Sequence, residues 1–194
     1  LGIDGHFGVE QAARCWGRLF LNFNGTAGVW RKAAILDAGG WTHDTLTEDL
    51  DLSYRAQLKG WRILYRPDLA CPAELPVLVT GFKSQQRRWA KGSIQTAIKL
   101  LPAVLRAPLP AWTKYQAFIH LTYYMIHPLM LAGVLLSAPL LGLRDVTPPP
   151  PILLGLSLAF GLGIFGPGCM LAYAQRVLEP AWGRRLWQLP TIMV

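Results

Sequence analysis

Apolar side chains recur every four residues at Leu46, Leu50, Tyr54 and Leu58, the spacing that lines one face of an α-helix. Thr47 stands at its start as an N-cap, Glu48 and Asp49 fall in the first turn where the helix dipole favours carboxylates, and Gly60 ends it. The same reading predicts a helix over residues 9–16, short strands over 19–23 and 28–30, and a helix over 31–38 stopped by Gly39 and Gly40. A strand over 61–65, a turn at 66–68, a loop at 73–76 and a helix after Thr80 and Gly81 follow. Such alternation predicts an α/β domain.

Further along, the pattern changes. Residues 115–143 and 146–175 contain no Asp, Glu, Lys or Arg, and each run exceeds the roughly 20 apolar residues that a membrane-crossing helix needs. The expectation is two transmembrane helices, over 115–143 and 152–175, joined by an outer loop over 144–151. A basic segment over 176–194 then leads toward a further membrane segment; one bulky soluble core is the competing reading. Just upstream, Ile94, Ala97, Ile98 and Leu101 form an apolar stripe flanked by Lys91, Lys99 and Arg106. Residues 91–114 therefore read as an amphipathic interface helix and linker, with packing inside the domain as the alternative. His120, Tyr124 and His127 fall at i, i+4 and i+7 of the first expected span, either to line a polar route or to pack against a neighbouring helix.

Charge sharpens the division. The chain carries a net charge of +8, with 15 Lys and Arg against 9 Asp and Glu in residues 1–114, and 4 against 2 thereafter. A basic balance suits phosphorylated substrates, anionic lipid or nucleic acid. The basic residues are spread out without a dense run or a nucleic-acid motif, which ranks nucleotide diphosphates and lipid headgroups first and leaves nucleic acid out as a partner. Cys15, Cys71 and Cys169 are odd in number and form no metal pattern, which suits a reduced, cytoplasm-facing part. The chain opens on Leu1 in mid-pattern, so it is expected to be a piece of a longer protein.

Three groups of residues carry chemistry. Asn24, Gly25 and Thr26 open a loop whose glycines permit close backbone approach, or simply a tight connection. Thr47, Glu48 and Asp49 put carboxylates at a helix start, where they serve either the dipole or proton transfer. Gln85, Arg88 and Trp89 supply an amide, a fixed cation and a flat aromatic face, the parts needed to hold a sugar ring and a diphosphate. Asp49 and Asp51 also spell the D-x-D of divalent-ion sites, but residues two apart on a helix point to different faces and grip one ion poorly. Asp4, His6 and Glu10 lack ligand spacing and read as surface polar groups.

These segments, with the run from Phe23 through Arg31, resemble family 2 glycosyltransferases, in particular the cellulose-synthase-like and glucomannan-synthase-like membrane branch. The likeness covers residues 1–114 and, by composition only, the apolar runs. It implies the C-terminal half of a GT-A type α/β domain, with residues 1–90 as its partial cytoplasmic catalytic part, followed by the interface helix and transmembrane helices. It also implies an inverting, integral membrane transferase of a plasma or Golgi-type membrane. A hexose would pass from UDP-glucose or GDP-mannose to a growing β-glycan. A non-processive glycolipid synthase using a lipid acceptor, or a transporter or scaffold without turnover, are the competing functions. By the resemblance Asp49 is the general base, and Thr47, Glu48, Gln85, Arg88, Trp89, Asn24, Gly25 and Thr26 bind substrate. A Mg or Mn ion is expected, its ligands mostly N-terminal to Leu1, with none assigned in this chain, which alone is expected to be inactive.

Overall fold

The structure, a computed structural model, describes residues 5–25, 27–74, 76–142, 151–178 and 182–185. Chain contacts divide it into two units, residues 14–129 and residues 1–13 with 130–194.

The first unit is built around one buried helix. Helix α1 (Ala12–Trp16) leads in, an extended segment follows, and α2 (Lys32–Asp37) ends at Gly39 and Gly40, both left-handed at φ 87° and 78°. Helix α3 (Glu48–Leu58) comes next and stops at Gly60, φ 92°, so both glycine stops read in the sequence are present. Leu50 and Tyr54 pack with Phe20, Leu100, Val104 and Leu121. The opposite face of α3 sends Leu52 and Ala56 against Ala38, Ile35, Trp30 and Trp61. A helix covered on two sides must bury polar residues as well, and Asp51, Ser53 and Gln57 are all buried there with hydrogen-bond or ion-pair partners. Leu46, which opens the four-residue recurrence, stays 42% exposed because it lies before the helix begins.

Helix α4 (Val79–Arg106) is one 28-residue element that carries both Gln85, Arg88 and Trp89 and the stripe expected as a separate interface helix. No strong helix breaker stands between the two, so they merge; Pro102 near the end is tolerated. Its inward face is Gly92, Ser93, Thr96, Ala97, Leu100 and Val104. Ile98 and Leu105 remain outside, at 75% and 51% exposure. Helix α5 (Ala111–Thr122) packs against α4, and Ser93 Oγ donates to Leu121 O at 3.0 Å.

The expected strands are a correction: no strand occurs among the described residues. Residues 19–23 are extended, but their backbone groups bond to side chains. Arg14 Nε donates to Phe20 O at 2.8 Å, Leu21 exchanges bonds with the Gln57 amide at 2.9 and 2.7 Å, and Phe23 N–H donates to Ser53 Oγ at 2.8 Å. Side chains of α1 and α3 take the place of a ladder. Residues 28–30 and 61–65 are likewise not strands.

The first expected span is not one continuous helix. A 3₁₀ turn (Tyr123–Met125) divides 115–143 into α5 and α6 (Ile126–Gly142), so His120, Tyr124 and His127 do not share one straight helix face. Among the described residues no helix is long and apolar enough to cross a membrane. Most side chains of the second expected span lie outside those residues.

In the other unit, α7 (Pro151–Leu178) receives a π-helical turn (His6–Gln11), whose Gly8 lies against Ala174 and Leu178. Within that turn His6 Nδ1 and Glu10 Oε2 are 2.9 Å apart, and both residues are half-buried rather than on the open surface. Helix α8 (Trp182–Arg185) follows. Asp4, Thr26, nearly all of the expected outer loop over 144–151 and most of 176–194 lie outside the described residues.

Candidate active site

Asp49 sits in the first turn of α3 and is half-buried. Gly25 N–H donates to its Oδ2 at 3.1 Å and Leu50 N–H to its Oδ1 at 2.8 Å. Gly25 holds φ 60°, which lets its amide turn toward the carboxylate. The loop is folded locally: Asn22 Nδ2 donates to Asn24 Oδ1 at 2.8 Å and Ala27 N–H to Asn24 O at 3.1 Å. Ser53 ties the same two segments from below, donating to Asp49 O at 2.5 Å while accepting from Phe23 N–H. The loop and the acidic triplet, more than twenty residues apart in the chain, therefore meet at one carboxylate.

Burial pushes the Asp49 carboxyl above the usual carboxylate range; the Leu50 N–H opposes this, the neighbouring Glu48 charge adds to it, and the Gly25 N–H opposes it. A carboxylate so placed is a better proton acceptor than a solvated one. Glu48 itself is exposed.

Thr47 occupies the N-cap position, but its hydroxyl makes no cap bond. It stands 3.3 Å from Thr96 Oγ1 on α4 instead. Leu46 N–H donates to Gln95 Oε1 at 3.0 Å beside it. The acidic triplet is thus seated on the helix that carries Gln85, Arg88 and Trp89. Counting 100° per residue, positions 85, 88, 89, 92, 95, 96 and 99 fall within one third of the circumference of α4, so all three motif side chains leave the helix on the side that holds Thr47. Trp89 keeps 38% of its surface exposed, Arg88 is exposed and Gln85 is half-buried. Next to Gln85, Gln86 Oε1 accepts from Tyr124 Oη at 3.3 Å, and His120 Nδ1 lies 2.7 Å from Tyr54 Oη in the core, so these two members of the expected polar face tie the 3₁₀ turn to α4 and α5 to α3.

Asp51 has a different position. It is 0% exposed, with Oδ2 bonded by Thr42 Oγ1 at 2.9 Å and paired with Arg55 at 2.6 Å, and Oδ1 paired with Lys99 at 2.9 Å. Arg55 reaches on to Ala38 O and Gly40 O, pinning the loop after α2. Burial works against the Lys99 charge, but the bonds to Asp44 and Asp51 outweigh it and hold the ammonium above its usual range. The carboxylate of Asp51 is committed to cations on both oxygens, so Asp49 and Asp51 do not fit a shared divalent ion. Among the described residues no group of three His, Cys, Asp or Glu could hold one either.

Several supporting residues escaped the sequence reading. The Asp51 and Arg55 pair, at i and i+4, carried a legible signal. Lys99, Ser53 and Gln57 act across more than twenty residues and carried none.

Residues 8–165 match the family described as Glycosyl transferase family group 2. Glucomannan 4-beta-mannosyltransferase 2 of Arabidopsis thaliana is 44% identical over 106 residues, which is 55% of this chain and 20% of that protein. Glucomannan 4-beta-mannosyltransferase 1 of Oryza sativa subsp. japonica is 41% identical over 124 residues, 63% of this chain and 23% of that protein. The chain thus spans about a fifth of the length of the curated relatives it matches. No solved structure matches it. The glucomannan-synthase-like resemblance of the motifs and the match over most of the chain agree: the chain belongs to glycosyl transferase family group 2.

Proposed function

We propose that this chain carries the acceptor side of an inverting membrane hexosyltransferase, which moves a hexose from a nucleotide sugar to a growing β-glycan. The observation that carries this reading is the Asp49 carboxylate, held by the Gly25 and Leu50 amides on a helix whose flanking residues Thr47 and Asp51 contact the α4 face bearing Gln85, Arg88 and Trp89; burial raises its pKa. In the proposed reaction Asp49 takes the proton from an acceptor hydroxyl, whose oxygen attacks the anomeric carbon. The bond to the diphosphate breaks with its electron pair leaving on the nucleotide, and one displacement inverts the centre. Trp89 stacks under the acceptor sugar, while Gln85 and Arg88 line the surroundings of the acceptor and the departing diphosphate. Thr47 and Glu48 shape the pocket edge, and Asn24, Gly25 and Thr26 position the acceptor.

The relatives named for 4-β-mannosyl transfer favour GDP-mannose over UDP-glucose as donor. The GT-A architecture follows from the family. A Mg or Mn ion belongs to this reading as a partner of the diphosphate, but the residues described do not fit it and no step here depends on it. The reading also places the protein in a plasma or Golgi-type membrane with the catalytic part in the cytoplasm. Three features support contact with a bilayer: the two uncharged runs, the exposed apolar side chains Phe118, Ile119, Ile126 and Leu129, and the exposed stacked pair Trp112 and Tyr115 at the start of the first run. Ile98 and Leu105, with Arg106 beside them, would meet the headgroup layer.

The test is to supply membranes containing the full-length protein with labelled GDP-mannose or UDP-glucose. Label in insoluble, β-glycanase-sensitive polymer is the expected result. Label in organic solvent would support the glycolipid synthase instead, and no turnover of either donor would support a transporter or scaffold.

A further inference from the structure

Gly92 stands at a contact that no other residue type fits. A Cβ built there would lie 2.6 Å from Thr47 Cγ2 and 2.8 Å from both Thr47 N and Oγ1. One of those three atoms is backbone, so the obstacle is not the end of a flexible side chain. Glycine is also the poorer helix former, and local preference in the middle of a 28-residue helix argues for alanine. The close approach of α3 to α4 is what glycine permits here.

Around Gly92 the same face of α4 makes a continuous set of contacts. Gln95 Oε1 accepts from Leu46 N–H at 3.0 Å, Thr96 Oγ1 meets Thr47 Oγ1 at 3.3 Å, and Lys99 pairs with buried Asp51 at 2.9 Å. These partners, Leu46, Thr47 and Asp51, bracket Asp49 on both sides in the chain. On α4 the face continues in the other direction through Trp89, Arg88 and Gln85. A rigid helix holds Gly92 about one turn from Trp89, roughly 4.5 Å along the axis, so the distance between the two motifs is set at this seam.

We propose that Gly92 is a positioning residue of the transfer reaction: its missing side chain, secured by Gln95, Thr96 and Lys99, fixes the depth at which Trp89 and Arg88 stand relative to Asp49. This rests on the proposed transferase function, and its failure is distinguishable from failure of that reading. An added methyl pushes α4 away from Thr47 and takes the acceptor platform with it. Water, which needs no platform, still reaches the donor's anomeric carbon.

The experiment measures, for the full-length protein in membranes, transfer to glycan and hydrolysis of the nucleotide sugar to free hexose. Relative to the parent, Gly92→Ala should lower kcat for transfer by about tenfold or more, the scale of a sub-ångström to ångström misplacement. The ratio of hydrolysis to transfer should rise several-fold, because displacing Trp89 harms only the acceptor's reaction, while displacing Arg88 acts on the diphosphate in both reactions alike. A purely structural role lowers both rates together and leaves the ratio unchanged, which would overturn the proposal. If Gly92→Ala does not accumulate as folded protein, Thr96→Val decides, since it keeps shape and removes the hydroxyl facing Thr47. A raised ratio, restored by Thr96→Ser, supports the seam, and an unchanged ratio overturns it. A parent that transfers no hexose contradicts the function itself, whatever the variants do.

Discussion

Two aspartates two positions apart divide the labour at the start of α3. Asp49 keeps an accessible carboxylate at some cost to the fold, and Asp51 is spent on holding three segments together. The costs have opposite signs on mutation. Asp49 titrates higher in the fold than in the unfolded chain, so its stabilising contribution is complete below the ordinary aspartate value of about 4 and is lost as pH rises through the raised value. Asp49→Asn should therefore melt at a higher temperature than the parent at neutral pH, with the difference shrinking toward about pH 4; thermal denaturation at several pH values checks this. Asp51→Asn should do the reverse. It leaves Arg55 and Lys99 facing a neutral amide in a buried place, a loss of about 3–5 kcal/mol for a broken buried pair, visible in denaturant unfolding. The difference between the two was only half legible. That both could not grip one ion followed from helix geometry, but the Lys99 partner of Asp51 comes from α4, forty-eight positions away, which no local pattern announces.

At the scale of elements, what depends on near neighbours was readable. The ends of α2 and α3 fall at the glycines because a left-handed residue satisfies the last carbonyls, and that signal is written in two or three consecutive residues. Residues 19–23 have the composition of a strand, yet strand identity depends on which groups take the backbone bonds, and here Arg14, Ser53 and Gln57 take them. Thr47 illustrates the same limit: its N-cap position was legible, while the turn of its hydroxyl toward Thr96 was not. Helix α4 matters most for function because it places Trp89 on the same face as its contacts with Thr47 while leaving the indole 38% exposed. A ring so placed is an available platform and contributes less to the core than Leu100 or Val104. Trp89→Ala should weaken acceptor use by about 1–3 kcal/mol, read as a higher acceptor requirement and shorter product, with little loss of folded protein. Equal loss of folded protein and activity would mark Trp89 as a packing residue.

For the whole molecule, composition and order of motifs said more than periodicity. The acidic triplet, the Gln, Arg and Trp group and the uncharged runs, in that order, pointed to a family 2 glycosyltransferase, and the family match over residues 8–165 agrees. Span boundaries were less legible. Absence of charge from residues 115–143 carries no information about where a helix turns, and the 3₁₀ turn at Tyr123–Met125, where Tyr124 Oη donates to Gln86 on α4, left no mark in it. The membrane reading makes its own prediction: the full-length protein should stay in the pellet after alkaline carbonate extraction and leave it only with detergent. Release by carbonate or salt would mean that the exposed apolar side chains of α5 and α6 cover another protein surface instead.

Asp49 as the base is tested by steady-state hexose transfer by the full-length protein and its Asp49→Asn variant, with donor binding measured on both. The predicted result is a fall in kcat of roughly 10² or more with donor affinity nearly unchanged, since the amide keeps the shape and an acceptor for Gly25 N–H but takes no proton. Turnover within a few-fold of the parent would show that Asp49 is not the base.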